Sequence, residues 1–430
     1  MRNIKWILIT LAVFLAPGCS GDSSQNDAGL VDAEDGGDVD PCIAAVPEWQ
    51  AIWQASVEES GIEGLTPEIN IMDVWGSGPE DIYAVGFNGN IVHFDGTGWT
   101  PMESGTEANL EGVWGYVLTD EEGTVTRTDV FAVGHNGTII RYDGTSWQPQ
   151  RVINDPDPAN PDPQIVTGNF HDVWGVAAPG PNPDQHPVVI AVGGEGLIVE
   201  WDSVEAEFRE MRHREDFEYP CDAGTCVRTS YQRWTPERLG GVFGTSQDFF
   251  VTVGNNGTIL EYDGSAWSRY TIAGFTTHLN GVWGRGAWEI FAVGLDGTIL
   301  RRNNSGQWED LRQLAENQGG FVNINPVYLR GNWGFYQAKC GPVPDGGTEP
   351  EDTSWAIFVG WDNKLFLFHD RLICPLGEID VNRLEGIWGY QPRSEEERTL
   401  EDGGIVCDPV DVIITGVNGT IIRLTNAEGS

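Results

Sequence analysis

Basic residues are scarce in this chain: 24 Lys and Arg stand against 65 Asp and Glu in 430 residues, a formal net charge of −41 at pH 7. Self-repulsion on that scale keeps a protein soluble. It argues against nucleic acid or anionic lipid as a partner, since either would bring negative charge to a negative surface. Calcium at surface carboxylates and adaptation to salt water are both compatible with the same balance. Catalytic signatures are absent too: there is no H-E-x-x-H, C-x-x-C, phosphate loop or G-x-S-x-G elbow. The apolar run from Trp6 to Leu15 is too short for a stable membrane span.

That run does have the layout of a secretory signal, with Arg2 and Lys5 before it and small residues after it. Its ending, Leu15-Ala16-Pro17-Gly18-Cys19, resembles a bacterial lipoprotein cleavage site. The resemblance implies a signal peptide over 1–18 and lipidation of Cys19, the lipid being the only contact with membrane. With Ser20 rather than Asp next, it also implies sorting to the outer membrane or cell surface. Residues 19–46 follow as a tether: Asp22, Asp27, Asp32, Glu34, Asp35, Asp38 and Asp40 occur there with no Lys or Arg. Such a segment buries too little apolar surface to fold. Its acidic spacing matches no established calcium loop.

From residue 47 to 430 one unit recurs seven times. Its first copy reads Ile71-Met72-Asp73-Val74-Trp75-Gly76, then Asp81 to Gly86, the turn Phe87-Asn88-Gly89, a second apolar run to Phe94, and Asp95-Gly96-x-x-Trp99. The aromatic of the first motif falls at Trp75, Trp114, Trp174, Phe243, Trp283, Trp333 and Trp388. Runs of this length, rich in β-branched and aromatic residues and joined by Asn-Gly, are strands joined by hairpins, because the turn needs positive φ. Each unit is therefore four antiparallel strands, A to D. A lone four-stranded sheet cannot bury both faces, so the expected fold is an all-β, seven-bladed β-propeller, its repeats starting near 71, 110, 170, 239, 279, 329 and 384. The aromatics are read as wedges between blades. The seventh copy lacks a D strand, and the stretch Glu48-Trp49-Gln50-Ala51-Ile52-Trp53 is expected to supply it, closing the ring and removing an open edge.

The pattern VWG, D-x-Y/F-A-V-G, N-G-T-I, D-G-x-x-W resembles the tandem repeats of secreted and surface propeller proteins of myxobacteria and related deltaproteobacteria. More distantly it is similar to BNR/Asp-box and WD40-like propellers. The resemblance covers about residues 47–426 and implies architecture far more than activity, since propellers carry hydrolases, lyases, receptors and scaffolds. Copies three and six depart from it, with Gly193-Gly194-Glu195-Gly196 and Gly360-Trp361-Asp362-Asn363 in place of the usual turn.

Repeat spacing ranges from 39 residues (Trp75 to Trp114) to 69 (Trp174 to Phe243), the excess being insertions. A–B insertions (116–128, 176–187, 335–353, 390–410) belong on one face and D–A insertions (150–168, 212–238, 311–327) on the other. Six cysteines beyond Cys19 in an exported chain imply disulfides. Topology suggests Cys221 with Cys226, Cys340 with Cys407 and Cys42 with Cys374, among fifteen connectivities.

Candidate binding residues follow from position. The residue after the first apolar position of strand A belongs at the channel mouth on the D–A face, and it varies while the scaffold repeats: Met72, Glu111, His171, Gly240, Asn280, Arg330 and Glu385. Asn70, Asn109, Arg238, His278, Tyr328 and Arg383, one or two residues earlier, are expected on the same rim. A ring of carboxylates, His, Arg and amide suits a small polar ligand or cation. The expected function is noncatalytic binding or scaffolding, by a monomeric propeller, of a protein or glycan of the envelope, with no cofactor except a possible calcium ion. The alternative is a carbohydrate-active enzyme, sialidase-, glycosidase- or lyase-like. In the sialidase form Arg238, Arg330 and Arg383 would converge beside Tyr328 and Glu385.

Overall fold

The computed structural model describes residues 53–58, 70–119, 125–154, 164–177, 187–221, 224–312, 328–337, 353–361, 364–369, 372–378, 383–390 and 411–426. The leader, Cys19, the tether, Cys42, Cys340 and Cys407 lie outside them, and so do the side chains of Cys221, Cys226 and Cys374. The lipid and disulfide expectations therefore fall outside the described residues.

Seven sheets form, one per repeat, each with its strands in the order A-B-C-D. The A strands are Ile71–Gly78, Leu110–Thr119, Phe170–Val176, Leu239–Ser246, Leu279–Gly286, Leu329–Gln337 and Leu384–Tyr390, so every repeat starts where the sequence places it. Each A strand contacts the A strand of the next blade, and the seventh returns to the first. The molecule is thus a closed seven-bladed β-propeller. Its B strands, such as Asp81–Gly86, are buried at five of six positions. Sheets covered on both faces read as continuous apolar runs rather than alternating ones, which is why the Ala-Val-Gly segments looked uniformly hydrophobic.

The Trp-Gly pair has a direct steric cause. In blade three a Cβ on Gly175 would sit 2.4 Å from the Trp114 ring of blade two, and in blade seven one on Gly389 would sit 2.6 Å from the Trp333 ring of blade six. Gly76 meets Trp388 and Gly115 meets Trp75 in the same way, whereas Gly244 and Gly284 meet Phe250 and Ile290 of their own blades; the rings themselves form a belt, Trp174 lying 5.1 Å from Phe243 and Trp283 6.0 Å from Trp333. The wedge reading of these aromatics holds.

The B–C turn adopts the expected conformation. Asn88 (φ 58, ψ 32) and Gly89 (φ 68) are both left-handed, and Asn90 N–H donates to the Phe87 carbonyl at 3.2 Å, a type I′ hairpin turn. Copy three departs in sequence only, since Glu195 takes φ 55 in the same turn. In copy six, Asp362 and Asn363 lie outside the described residues.

Blade seven is completed from the N-terminus, as expected; of the stretch named for it, Trp53 lies in the closing strand and Glu48 to Ile52 lie outside the described residues. The closing strand is Trp53–Glu58, antiparallel to Ile421–Asn426 from Trp53 opposite Asn426 to Glu58 opposite Ile421. It begins where the expected strand ends and runs into what reads as a polar tail. A strand that covers an edge needs backbone pairing more than an apolar sequence, and so it continues through the polar residues to Glu58. Two D–A insertions also form strands. Arg151–Asn154 adds a fifth, parallel strand to the outside of blade three, against Glu207–Glu210. His213–Cys221 and Gly224–Gln232 form a separate hairpin between blades three and four.

Candidate functional site at the channel mouth

On the D–A face each strand A is entered through one repeated contact. The carbonyl of the residue before the strand accepts the first N–H of its own B–C turn, from Phe87 N to Asn70 O (3.0 Å) in blade one to Val417 N to Arg383 O (3.2 Å) in blade seven. That carbonyl occupies the space a side chain would need on the Val-Gly glycine: a Cβ on Gly134 would lie 1.9 Å from Asn109 O. In three blades the same residue also reaches the preceding blade with its side chain. Asn109 Oδ1 accepts from Asn88 N–H (3.0 Å), Asn169 Oδ1 from Asn136 N–H (2.9 Å), and His278 Nδ1 from Asn256 N–H (3.0 Å). Asn109 and His278 are therefore clasps between blades, which corrects their assignment to the polar rim. Asn169 belongs with them and was not singled out.

Inside these clasps lies a cavity of about 310 Å³ to which all seven blades contribute. Met72 is buried there as an apolar patch from blade one. Asn280 lines it too, but its amide is committed, donating to the Leu329 carbonyl at 2.9 Å across the blade boundary. The other four named residues fall into two charged groups. Glu111 accepts from His135 Nε2 through one oxygen and from His171 Nδ1 through the other, both at 2.6 Å. Burial alone would raise its carboxyl, yet the hydrogen bonds and charge of His171, the bond from His135 and the Arg238 charge hold it down to about 2. His171 is itself pulled below the usual imidazole range, chiefly by burial. On the far side of blade one, Glu385 takes Arg330 Nε at 2.8 Å on one oxygen and Arg383 Nη2 at 2.6 Å on the other. Arg383 in turn stacks 4.1 Å over the Trp361 ring, which lies parallel to Tyr328 at 4.1 Å.

Arg238 behaves differently from these. Its nearest carboxylate is Glu111 at 3.9 Å, beyond hydrogen-bond length, and a Cβ on Gly240 would lie 2.8 Å from its Nη1. The bare rim position of blade four is what lets this guanidinium fold over the mouth. Burial, and then the charge of Arg330, lower its pKa.

Below the mouth stand two aspartates that sequence reasoning missed. The third residue of strand A is glycine in five blades, where neighbouring A strands nearly touch: a Cβ on Gly112 would lie 2.8 Å from the Asp172 Cα. Blades one and three carry Asp73 and Asp172 instead. Asp73 Oδ2 accepts Val113 N–H and Asp172 Oδ2 accepts Val242 N–H, each at 2.8 Å, tying a blade to the next. Burial pushes Asp73 up to about 7 against the pull of Val113 and Val74 N–H and the Arg330 charge. Asp172 is raised well above the usual carboxylate range, by burial first and the Asp73 charge second. The available signal was a departure from glycine in an otherwise repeated position.

No family model matches the chain, and no curated protein matches it. Among solved structures, the WD40 β-propeller domain of Doa1 is 11% identical, with a TM-score of 0.47 over 84% of this chain and 93% of that one. YCF48 from Cyanidioschyzon merolae is 12% identical, with a TM-score of 0.48 over 87% of this chain and 98% of that one.

Proposed function

We propose that this chain is a noncatalytic binding and scaffolding propeller, exported and lipid-anchored through Cys19 at the outer membrane or cell surface, whose ligand is a protein or glycan of the envelope. The observation that carries the noncatalytic part is the commitment of the channel carboxylates. A glycosidase of the two-carboxylate kind needs one carboxyl that exchanges a proton with the leaving group and a second that attacks or activates water. Both oxygens of Glu385 are bound to arginines, and both oxygens of Glu111 to histidines. With its carboxyl near about 2, Glu111 carries no proton to give at neutral pH.

The sialidase form of the alternative fails on the same contacts. Arg330 Nε and Arg383 Nη2 occupy both oxygens of Glu385, the carboxylate that would have to activate the nucleophile, and the Tyr328 ring is stacked on Trp361. Asp73 and Asp172 keep the alternative alive as proton donors in a cavity, but each is also a bridge to the next blade through a main-chain N–H. The test is binding and turnover by the mature chain on a glycan array and a panel of chromogenic glycosides. Binding without turnover is expected. Turnover that Glu385→Gln abolishes would overturn the reading.

A further inference from the structure

We infer that the channel mouth is a binding site for a small oxyanion, a carboxylate or phosphate group gripped between the guanidinium groups of Arg238 and Arg330. The inference rests on the channel mouth being a binding surface and names its ligand chemistry. Every carboxylate of the mouth has its partners, whereas the cations do not. Among the described residues the Arg238 guanidinium makes no hydrogen bond, its closest carboxylate being Glu111 at 3.9 Å. Arg330 spends only Nε among the described residues, on Glu385, and its terminal nitrogens stay with the cavity it lines. A guanidinium offers five donors in a rigid fork that matches the two oxygens of a carboxylate or phosphate. Two such forks face one cavity of about 310 Å³, each close enough to feel the other's charge.

Among the described residues no carboxylate oxygen comes within hydrogen-bond distance of the Arg238 guanidinium or of the terminal nitrogens of Arg330. The oxygens of Glu111 and Glu385 are taken, and Asp73 and Asp172 lie deeper, turned to the Val113 and Val242 amides. Burial also keeps those two acids from full ionisation, so they do not cancel the arginines. Protonated, they donate O–H groups, which an oxyanion accepts. Gly240 completes the arrangement, since any side chain there would displace the Arg238 fork. An anion bridging the two arginines relieves their mutual repulsion and fills donors that are otherwise left to water.

The experiment is calorimetric titration of the whole mature chain with glucuronate, inorganic phosphate and, as a neutral counterpart of the sugar acid, glucose. One site is expected for an anion and none for glucose. Saturation by glucuronate alone assigns a carboxylate, and by phosphate alone a phosphate group. Arg238→Gln should weaken binding by about tenfold or more. Because the Arg238 guanidinium makes no hydrogen bond among the described residues, this variant should keep the wild-type circular dichroism and Tm. Arg330→Gln should also weaken binding, with some loss of stability from freeing Glu385. Failure of both anions to bind, or equal binding by wild type and folded Arg238→Gln, would overturn the inference. Were glycan capture on the array also unaffected by Arg238→Gln, the binding reading would stand while the anion site fell. Glycoside turnover would instead remove the reading itself.

Discussion

Gly175 shows how much of this fold is decided by single hydrogen atoms. A methyl group there would enter the Trp114 ring at 2.4 Å, and the ring is confined between two blades. Gly175→Ala should therefore cost about 1–3 kcal/mol, the range for overpacking a filled core. Gly98→Ala, with open space around its Cβ, should shift stability by less than about 0.5 kcal/mol. Thermal unfolding of the two variants beside wild type checks this, and equal Tm values would reject the steric account. Asp73 permits a pH test. Its carboxyl is raised from 3.8 to about 7, so between those values the folded state holds a proton that the unfolded chain has released. Stability from this group is complete below about pH 4 and is lost as pH rises through 7. Asp73→Asn removes this group's part of the slope, leaving that of Asp172, while its amide oxygen still accepts the Val113 N–H. The variant's advantage over wild type should be small at pH 4 and greatest at pH 8. A pH-independent difference in chemical denaturation would contradict the raised carboxyl.

At the scale of strands, an acid at the start of strand B pairs with a base twelve residues on in strand C: Asp81 with His93, Asp129 with Arg141, Glu289 with Arg301 and Asp411 with Arg423. These cross-strand pairs escaped the sequence reading because it followed apolar periodicity, and the pairs lie at the ends of the apolar runs. Burial ranks them. The Asp129 side chain is fully buried among Tyr116, Arg127 and Arg141, whereas that of Asp81 is 32% exposed. Asp129→Ala removes a buried carboxylate that Tyr116, Arg127 and the half-buried Arg141 all bind, and should cost about 2–3 kcal/mol. Asp81→Ala should cost clearly less, because solvent screens its pair. Urea denaturation of both variants tests the order, and its reversal would mean that burial does not govern these pairs. The strands themselves were legible because each repeat states its pattern anew. The closing strand at Trp53–Glu58 was not, since it belongs to no repeat and is defined by its pairing with Ile421–Asn426.

At the scale of the ring, legibility reverses. Repeat starts could be read to the residue, yet the contacts of the candidate site could not, because closure joins positions far apart in the chain. Glu111 meets His171 and Arg238, and Arg330 meets Glu385, only after the blades assemble. Position along strand A placed the named residues on the cavity, but partner choice depended on side-chain reach across blade boundaries. The same assembly brings together surface carboxylates of a chain whose net charge is −41, which sets a final expectation. Surface carboxylates repel across distances that salt shortens, from about 30 Å at 0.01 M to about 8 Å at 0.15 M. The internal pairs of Asp129 and Glu289 are buried and should be screened far less. Raising NaCl from about 10 mM to about 500 mM should therefore increase the Tm, since repulsion falls while the buried pairs persist. A calcium salt at matched ionic strength should do the same and no more if screening is the whole effect, whereas a further rise at low calcium would reveal a specific ion. A Tm that fell with NaCl would show that attractive surface pairs outweigh the net repulsion in holding the ring together.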